Sequence, residues 1–141
     1  MGDRDQLERL RGIPAFAGLG DEALKRIAGA STEVSWPAGQ VLARADDPGA
    51  GMFVVMEGTV VVEAPGRTIE LGSGQVFGEL SLLVPESTRA ARVRATTPVR
   101  CVAIDRGAFE GLLDEPAFAR AMLVVVARRL WDVMRGPDSA H

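Results

Sequence analysis

The chain has 141 residues with 16 basic and 19 acidic side chains, a formal net charge of -3, and 47% hydrophobic residues. These values predict one soluble globular domain over residues 1–141, and the acidic balance argues against a nucleic-acid partner. His141 is the only histidine, which excludes histidine-based metal sites and Ser-His or Cys-His nucleophiles. The charged start and the absence of a run of 18 apolar residues predict a cytoplasmic chain with no membrane segment. Cys101 is the only cysteine, so it cannot form an internal disulfide, and we expect it in the core.

The first predicted elements are two short helices. Apolar residues recur at helical spacing in "LERLRGIPAFAGLGDEALKRIAGAS", where Asp21 and Glu22 form an apparent first turn after Gly20. We assign these N-terminal helices to residues 5–30.

From residue 31 the hydrophobic period shortens to that of β-strands. Thr32, Val34 and Trp36 alternate with polar neighbours, and short apolar runs then recur about every ten residues, separated by turns rich in glycine and proline. These runs are "QVLA", "MFVVM", "TVVVEA", "TIEL", "ARVRA" and "VRCVAID". Such spacing leaves no room for crossover helices, so the predicted fold is mainly β with flanking helices. We expect an antiparallel, jelly-roll-like β-roll (a double-stranded β-helix) over residues 31–105.

Two further helices are predicted within residues 106–135. The second, in "AFARAMLVVVARRLWDVM", carries an apolar stripe that we expect to cover the barrel or a partner. The stripe consists of Ala119, Met122, Leu123, Val126, Leu130 and Val133. Because Val124 and Val125 are also apolar, one barrel face cannot cover the whole helix. We therefore expect a homodimer through Val125, Val126 and Leu130.

The segment "VFGELSLLVPESTRAARV" combines an early glutamate, Glu79, with a later arginine, Arg89. Gly78 allows a ligand to approach closely, and the start of the short helix predicted in "ELSLL" offers unpaired N–H groups. Arg89 can present a bidentate fork to phosphate, and Glu79 can accept a hydrogen bond from a sugar hydroxyl. The alternative is an ordinary ion pair between the two charges, worth about 0 to 1 kcal/mol, with no ligand.

These residues resemble the phosphate-binding cassette of the cyclic nucleotide-binding domain family, as found in catabolite-activator-type regulators and protein kinase A regulatory subunits. That cassette runs Phe-Gly-Glu-Leu, apolar positions, a variable loop, Arg, a small residue, Ala and a β-strand. The segments "DDPGAGMFVVMEGTVVV" and "IPAFAGL" are also similar to the family. The resemblance implies a cassette over residues 77–91, with Glu79 on the ribose 2'-hydroxyl and Arg89 on the cyclic phosphate. The ligand-contacting residues that it implies are Phe77, Gly78, Glu79, Leu80, Ser81, Arg89, Ala90 and Ala91.

The aromatic and apolar residues have a simpler interpretation as core residues. Phe77 and Leu80 lie in an apolar stretch that needs burial, which favours packing over ligand contact. We expect the same of the remaining phenylalanines, Phe16, Phe53, Phe109 and Phe118.

Two further expectations follow from the resemblance. Ala90 stands where many family members carry Ser or Thr, whose hydroxyl reaches the 2-amino group of guanine, so we expect cyclic AMP to be preferred over cyclic GMP. The last helix of the family closes over the base, which makes Arg128 and Trp131 candidates for a base lid. For Trp131 the alternative is packing at the edge of the barrel.

The predicted function is therefore a cyclic nucleotide sensor with no catalytic residues, no metal and an unknown effector protein. Only "RGPDSAH" follows the last helix, so we expect no DNA-binding domain in this sequence. It is either a stand-alone sensor or a piece of a larger regulator. The alternative function is a degenerate β-roll that serves as a protein interaction or dimerisation module without nucleotide, and a barrel-type enzyme is a third alternative.

Overall fold

The computed structural model describes residues 3–43, 51–64, 66–83 and 92–135. It begins with three helical segments: α1 (Asp3–Arg11), a 3-10 helix (Pro14–Phe16) and α2 (Asp21–Ala30). α2 starts after Gly20, with Asp21 and Glu22 in its first turn, where carboxylates offset the helix dipole. Leu24 and Ile27 are fully buried, so the amphipathic pattern turns the apolar side of α2 towards the core.

Within the described ranges, eight strands lie between residues 31 and 105. They are β1 (Ser31–Trp36), β2 (Val41–Ala43), β3 (Gly51–Glu57), β4 (Val60–Ala64), β5 (Arg67–Leu71), β6 (Val76–Phe77), β7 (Arg92–Ala95) and β8 (Val99–Asp105). The apolar runs read from the sequence coincide with all of these strands except β6. Two adjacent apolar residues carry no alternation, and a pattern of period two cannot detect so short a strand.

The strands form two four-stranded sheets, in the orders β1-β8-β3-β6 and β2-β7-β4-β5. Every described strand pair is antiparallel. In the first sheet, Ser31 of β1 lies opposite Ile104 of β8, and Val54 of β3 lies opposite Val76 of β6. The predicted fold class, an antiparallel β-roll with helices at both ends, is confirmed.

Two apolar cores hold these layers together. One contains residues of both sheets, including Leu71, Phe77 and Cys101, and so fills the inside of the roll. The other lies between the first sheet and the helices, and its largest members are Leu10, Phe16, Leu24, Ile27, Met52, Ile104, Phe109, Phe118 and Met122. Each such side chain contributes about 1.5 to 3 kcal/mol when fully buried. Phe53 is only partly buried and packs against the core inside the roll.

Cys101 is fully buried inside the roll, as predicted. Burial raises the pKa of its thiol to about 12, because desolvation disfavours the thiolate. The thiolate is the reactive form of cysteine, so at neutral pH this residue acts as a packing group.

A short helix, α3 (Glu79–Leu83), follows β6, and two helices follow the roll, α4 (Arg106–Leu112) and α5 (Pro116–Arg135). α4 starts at a well-formed cap, in which the Asp105 carboxylate accepts a hydrogen bond from the Ala108 backbone N–H at 2.8 Å. In the part of the chain that the structure describes, no helix has the length and apolar character needed to span a bilayer.

The inward face of α5 differs from the predicted stripe. Phe118 and Met122 are buried and Val125 packs against the helical core, whereas Leu123 and Leu130 are 67% and 58% exposed. These two leucines therefore do not cover the barrel, and the other expectation for them, that the stripe covers a partner, stays a prediction. The face through positions 118, 122 and 125 continues to position 129, which is an arginine, and a hydrophobicity pattern assigns arginine to solvent.

Candidate functional site

The junction between β6 and the next helix, α3 (Glu79–Leu83), begins at Gly78. Gly78 has a φ of +90°, and a Cβ placed there would lie 2.5 Å from the carbonyl oxygen of Gly51 in β3. Both the backbone angle and this close approach require glycine. From the sequence, Gly78 was expected to allow close approach of a ligand; the structure adds an independent reason in the packing of the turn itself.

Glu79 is the first residue of α3 and is 1% exposed. Among the described residues, it is the only polar or charged residue that is buried. An ionised carboxylate is unfavourable in a protein interior unless it is paired and hydrogen-bonded. Retention of a charge at such a position marks a candidate functional group.

Arg129 of α5 supplies the compensating charge. Its Nη1 donates to both carboxylate oxygens of Glu79, at 2.8 and 3.1 Å, and its Nη2 donates to the backbone carbonyl of Val76. The guanidinium therefore connects α5 to both β6 and the start of α3. Arg129 was not identified from the sequence, although its helical spacing from Phe118 and Met122 would have placed it on the inward face.

The other predicted cassette residues divide into two groups. Phe77 is 2% exposed and stacks on Phe53 with ring centroids 5.0 Å apart, so it occupies a core position. Leu80 and Ser81 belong to α3 by their backbone, but their side chains fall outside the described part of the structure. Arg89, Ala90 and Ala91 also lie outside the described residues. A contact between Glu79 and Arg89 therefore stays a prediction.

A groove of about 830 Å³ lies beside the junction. β5, with Ile69, forms one wall, and α5, with Val125, forms the other. Val76 and Arg129 also line it, so the groove reaches the residues that hold Glu79. Its volume lies within the range of about 300 to 1,000 Å³ that is usual for sites of small ligands.

Cationic side chains outnumber anionic ones around this groove. The cationic residues are Arg67, Arg120, Arg128 and Arg129, and the anionic ones are Glu70 and Asp132. The Nε of Arg67 is buried and has no hydrogen-bond partner among the described residues. A buried donor without a partner costs about 1 to 3 kcal/mol, so an acceptor atom on a ligand would be favourable beside it.

The two candidate lid residues have different surroundings. Arg128 is exposed and lines the groove. Trp131 is 55% exposed and does not line the groove, and this exposure does not fit packing against the edge of the barrel. Closure of either side chain over a base stays a prediction.

The two sheets and the β6–α3 junction lie within a segment that matches a known protein family. The model of the cyclic nucleotide-binding domain matches residues 33–115. This chain belongs to the cyclic nucleotide-binding domain family. The matched segment starts in β1 and extends past α4, so it contains both sheets and the junction at Gly78 and Glu79.

Two relatives match this chain over only part of their own length. A cyclic nucleotide-gated potassium channel of Mesorhizobium japonicum is 39% identical over 100 residues, which are 71% of this chain and 28% of the channel. A cAMP-dependent protein kinase regulatory subunit of Emericella nidulans is 32% identical over 109 residues, 74% of this chain and 26% of the subunit. This chain therefore spans about a quarter of the length of these two relatives.

A solved structure shows the same arrangement of sheets and helices. The catabolite activator protein of Thermus thermophilus superposes with a TM-score of 0.74 at 28% identity, covering 90% of this chain and 62% of that one. Membership in the cyclic nucleotide-binding domain family gives the β6–α3 junction its significance. The first residues that resemble the family cassette, Phe77, Gly78 and Glu79, lie at this junction.

Proposed function

We propose that this domain binds a cyclic nucleotide in the groove between β5 and α5, with the ribose 2'-hydroxyl donating a hydrogen bond to Glu79. The burial of the Glu79 carboxylate against Arg129, which lines that groove, is the observation that carries the proposal. A carboxylate has about four acceptor positions, so it can accept from a hydroxyl in addition to a guanidinium. A hydroxyl group is a suitable partner because it donates without adding a charge.

The cyclic phosphate is assigned to Arg89, in keeping with the resemblance of its segment to the family cassette. The excess of arginines around the groove supports an anionic ligand, since cationic side chains in a cleft attract and hold negative charge. Gly78, Leu80 and Ser81 form the adjacent backbone in this proposal.

Cyclic AMP is the proposed preferred nucleotide. Ala90 has no hydroxyl that could accept a hydrogen bond from the 2-amino group of cyclic GMP. Desolvation of an unpaired polar group costs about 1 to 3 kcal/mol. Ala90→Thr should therefore raise the affinity for cyclic GMP and leave that for cyclic AMP nearly unchanged. Competition binding that shows a preference of the unchanged protein for cyclic GMP would mean that other residues, such as Arg128, read the base.

The proposed consequence of binding is a change in the position of α5, which would transmit occupancy to an effector protein. α5 lines the groove and contacts the cassette region through Arg129, so a ligand there meets it directly. Arg128 and Trp131 are the proposed lid residues on this helix. In a Trp36→Phe background, cyclic AMP should change the fluorescence of Trp131; an unchanged spectrum at saturation would contradict closure of Trp131.

A homodimer through α5 is the second proposal, and the exposed apolar surface of the helix favours it. The exposed side chains are Leu123, Val124, Leu130, Trp131 and Met134. Val125 instead packs against the core, so the predicted contact through Val125 needs revision. We place the contact on the exposed set, because apolar residues clustered on one helix are typical of an interface. Such a surface is also what an interaction module without nucleotide would use.

Calorimetric titration with cyclic AMP tests the central proposal. Saturable binding at one site per chain is the expected result. An absence of heat and of displacement by any cyclic nucleotide would favour the interaction module.

A further inference from the structure

We infer that Arg67 reads the base of the bound nucleotide: from the first residue of β5, its guanidinium donates a hydrogen bond to N1 of the adenine ring. This inference rests on the proposed function, because it concerns the same groove. It deepens that function by assigning recognition of the base to a residue of the sheet, outside both the cassette and the last helix.

Arg67 lies on the inward side of β5. Ile69 and Leu71 of the same strand pack in or against the core inside the roll, as do the β4 residues opposite them. Side chains alternate between the two faces of a strand, so Arg67 shares this inward side with Ile69 and Leu71. Of these three positions, Arg67 alone carries a charge and a hydrogen-bond donor. Its side chain also lines the groove.

The guanidinium of Arg67 has an unused donor. Its Nε is buried and has no hydrogen-bond partner in the part of the chain that the structure describes. Glu63 of the neighbouring strand lies opposite Thr68, on the other face of the sheet, and pairs with Arg92 and Arg94. A buried donor is unfavourable unless it meets an acceptor, so an acceptor supplied by a ligand accounts for the placement of Arg67.

The position of Arg67 along the groove favours the base over the phosphate as its partner. β5 runs from Arg67 to Leu71, which precedes the turn into β6 and the junction with Glu79. At about 3.3 Å per residue, Arg67 lies about 13 Å farther along the strand than Leu71. The cyclic phosphate is fused to the ribose, so contact of the 2'-hydroxyl with Glu79 keeps the phosphate near that junction. The base is the part of the ligand that can extend from the sugar towards Arg67.

The middle of the groove suits a flat ring. Ile69 of β5 and Val125 of α5 line its two walls, and a purine can lie between them. In adenine, N1 lies on the edge farthest from the sugar and accepts a hydrogen bond. In guanine the same nitrogen carries a hydrogen and cannot accept, so a donor at this place favours adenine. Arg67 thus supports the proposed preference for cyclic AMP independently of Ala90.

The test compares the affinities for cyclic AMP and for two analogues, 1-deaza and 7-deaza cyclic AMP, by calorimetry. Each analogue replaces one ring nitrogen by C–H and keeps the sugar and the phosphate. Wild-type protein should bind the 1-deaza analogue about tenfold or more weakly than cyclic AMP, as expected for a lost hydrogen bond from a charged donor. It should bind the 7-deaza analogue about as tightly as cyclic AMP.

The variant that decides the matter is Arg67→Met, which removes the donors and keeps an unbranched side chain. In this variant the difference between cyclic AMP and its 1-deaza analogue should disappear. Arg92→Met is the matched control, because Arg92 belongs to the same sheet but pairs with Glu63 and does not line the groove. It should keep the wild-type difference.

Equal affinities of the wild-type protein for cyclic AMP and 1-deaza cyclic AMP would overturn the inference. So would a difference that persists in Arg67→Met, since another residue would then read N1. If Arg67→Met weakens all three ligands by the same factor, Arg67 contacts the phosphate or acts through its charge alone, and the base-reading role is wrong. These results leave the proposed function standing, because each requires binding. Failure of the wild-type protein to bind any of the three ligands contradicts the proposed function itself.

Thermal unfolding of the ligand-free protein separates a contact with the ligand from a contact within the fold. Arg67→Met removes a buried donor that lacks an acceptor, so its unfolding midpoint should equal or exceed that of the wild type. Cyclic AMP should raise the midpoint of the variant less than that of the wild type. A ligand-free midpoint well below the wild-type value would show that Arg67 supports the fold, and would contradict its assignment to the ligand.

Discussion

Glu79 and Arg129 are 50 positions apart in the chain, and contacts of 2.8 and 3.1 Å join the Nη1 of Arg129 to the two carboxylate oxygens of Glu79. The Glu79 side chain is 1% exposed and that of Arg129 is 29% exposed. The pair thus connects the interior of the β-roll to the groove-facing side of α5. The guanidinium of Arg129 therefore links the position of α5 to the environment of the buried Glu79 carboxylate.

Arg129→Ala should destabilise the fold by about 1 to 3 kcal/mol, because it removes the guanidinium that donates to a buried carboxylate. Replacing both members, as Glu79→Leu with Arg129→Leu, should recover most of this loss, since apolar residues can substitute for a buried ion pair in stability. Urea unfolding measures both effects. A double variant as unstable as the sum of the two single variants would contradict this account of the pair.

Gly78→Ala should also destabilise the fold, because a side chain there combines a positive φ with a clash against the Gly51 carbonyl. Strained backbone of this kind costs about 1 to 3 kcal/mol, and the clash adds to it. Gly29→Ala is the control: Gly29 lies in α2 with nothing within 4 Å of an added Cβ. That change should stabilise by up to about 1 kcal/mol. Similar unfolding midpoints for the two variants would rule out the strain argument.

Much of the fold could be predicted because Gly- and Pro-rich turns separate strands of clear alternation, and because the helices carry amphipathic patterns. The two-residue strand β6 could not be predicted, since it forms only by pairing with β3. Arg129 was missed for a related reason. Its inward position depends on a carboxylate that is distant in sequence, and such a tertiary contact leaves no mark on local hydrophobicity.

Only part of the candidate site could be predicted from the sequence. Gly78 and Glu79 could be selected because their motif is short and contiguous, and the structure places them at the β6–α3 junction, where Glu79 contacts the groove-lining Arg129. The exposure of Leu123 and Leu130 could not be predicted from the sequence of α5. The helix is apolar on more than one face, and which face is buried depends on the residues that pack against it. The roles of Arg89 and Ala90 stay predictions.

Cys101 should resist modification in the folded protein. With a thiol pKa near 12, an aromatic disulfide reagent at pH 8 should react only after addition of denaturant. The folded-state pKa lies above the ordinary value of 9.0, so the unfolded chain loses the proton first as pH rises. The free energy of unfolding should therefore fall between about pH 9 and about pH 12, more steeply than in Cys101→Ala. Rapid labelling of the native protein would refute the buried-thiol description.

Wild-type protein should form a dimer in solution, as measured by light scattering at several concentrations. Leu123→Gln combined with Leu130→Gln should give a monomer of similar thermal stability, because both side chains are exposed in the single chain. A wild-type monomer at all concentrations, with and without cyclic AMP, would contradict dimerisation through α5.

Titration of the protein with cyclic AMP by calorimetry, in wild type and in Arg89→Ala, tests the central claim most directly. Losing the cationic partner of a bound phosphate costs about 2 to 5 kcal/mol, which corresponds to a loss of affinity of about thirtyfold to several thousandfold. Arg92→Ala, which removes an exposed pair with Glu63, should bind as wild type does. The account predicts saturable binding by wild type and a loss of that size in Arg89→Ala. Equal affinity in the two proteins would contradict it.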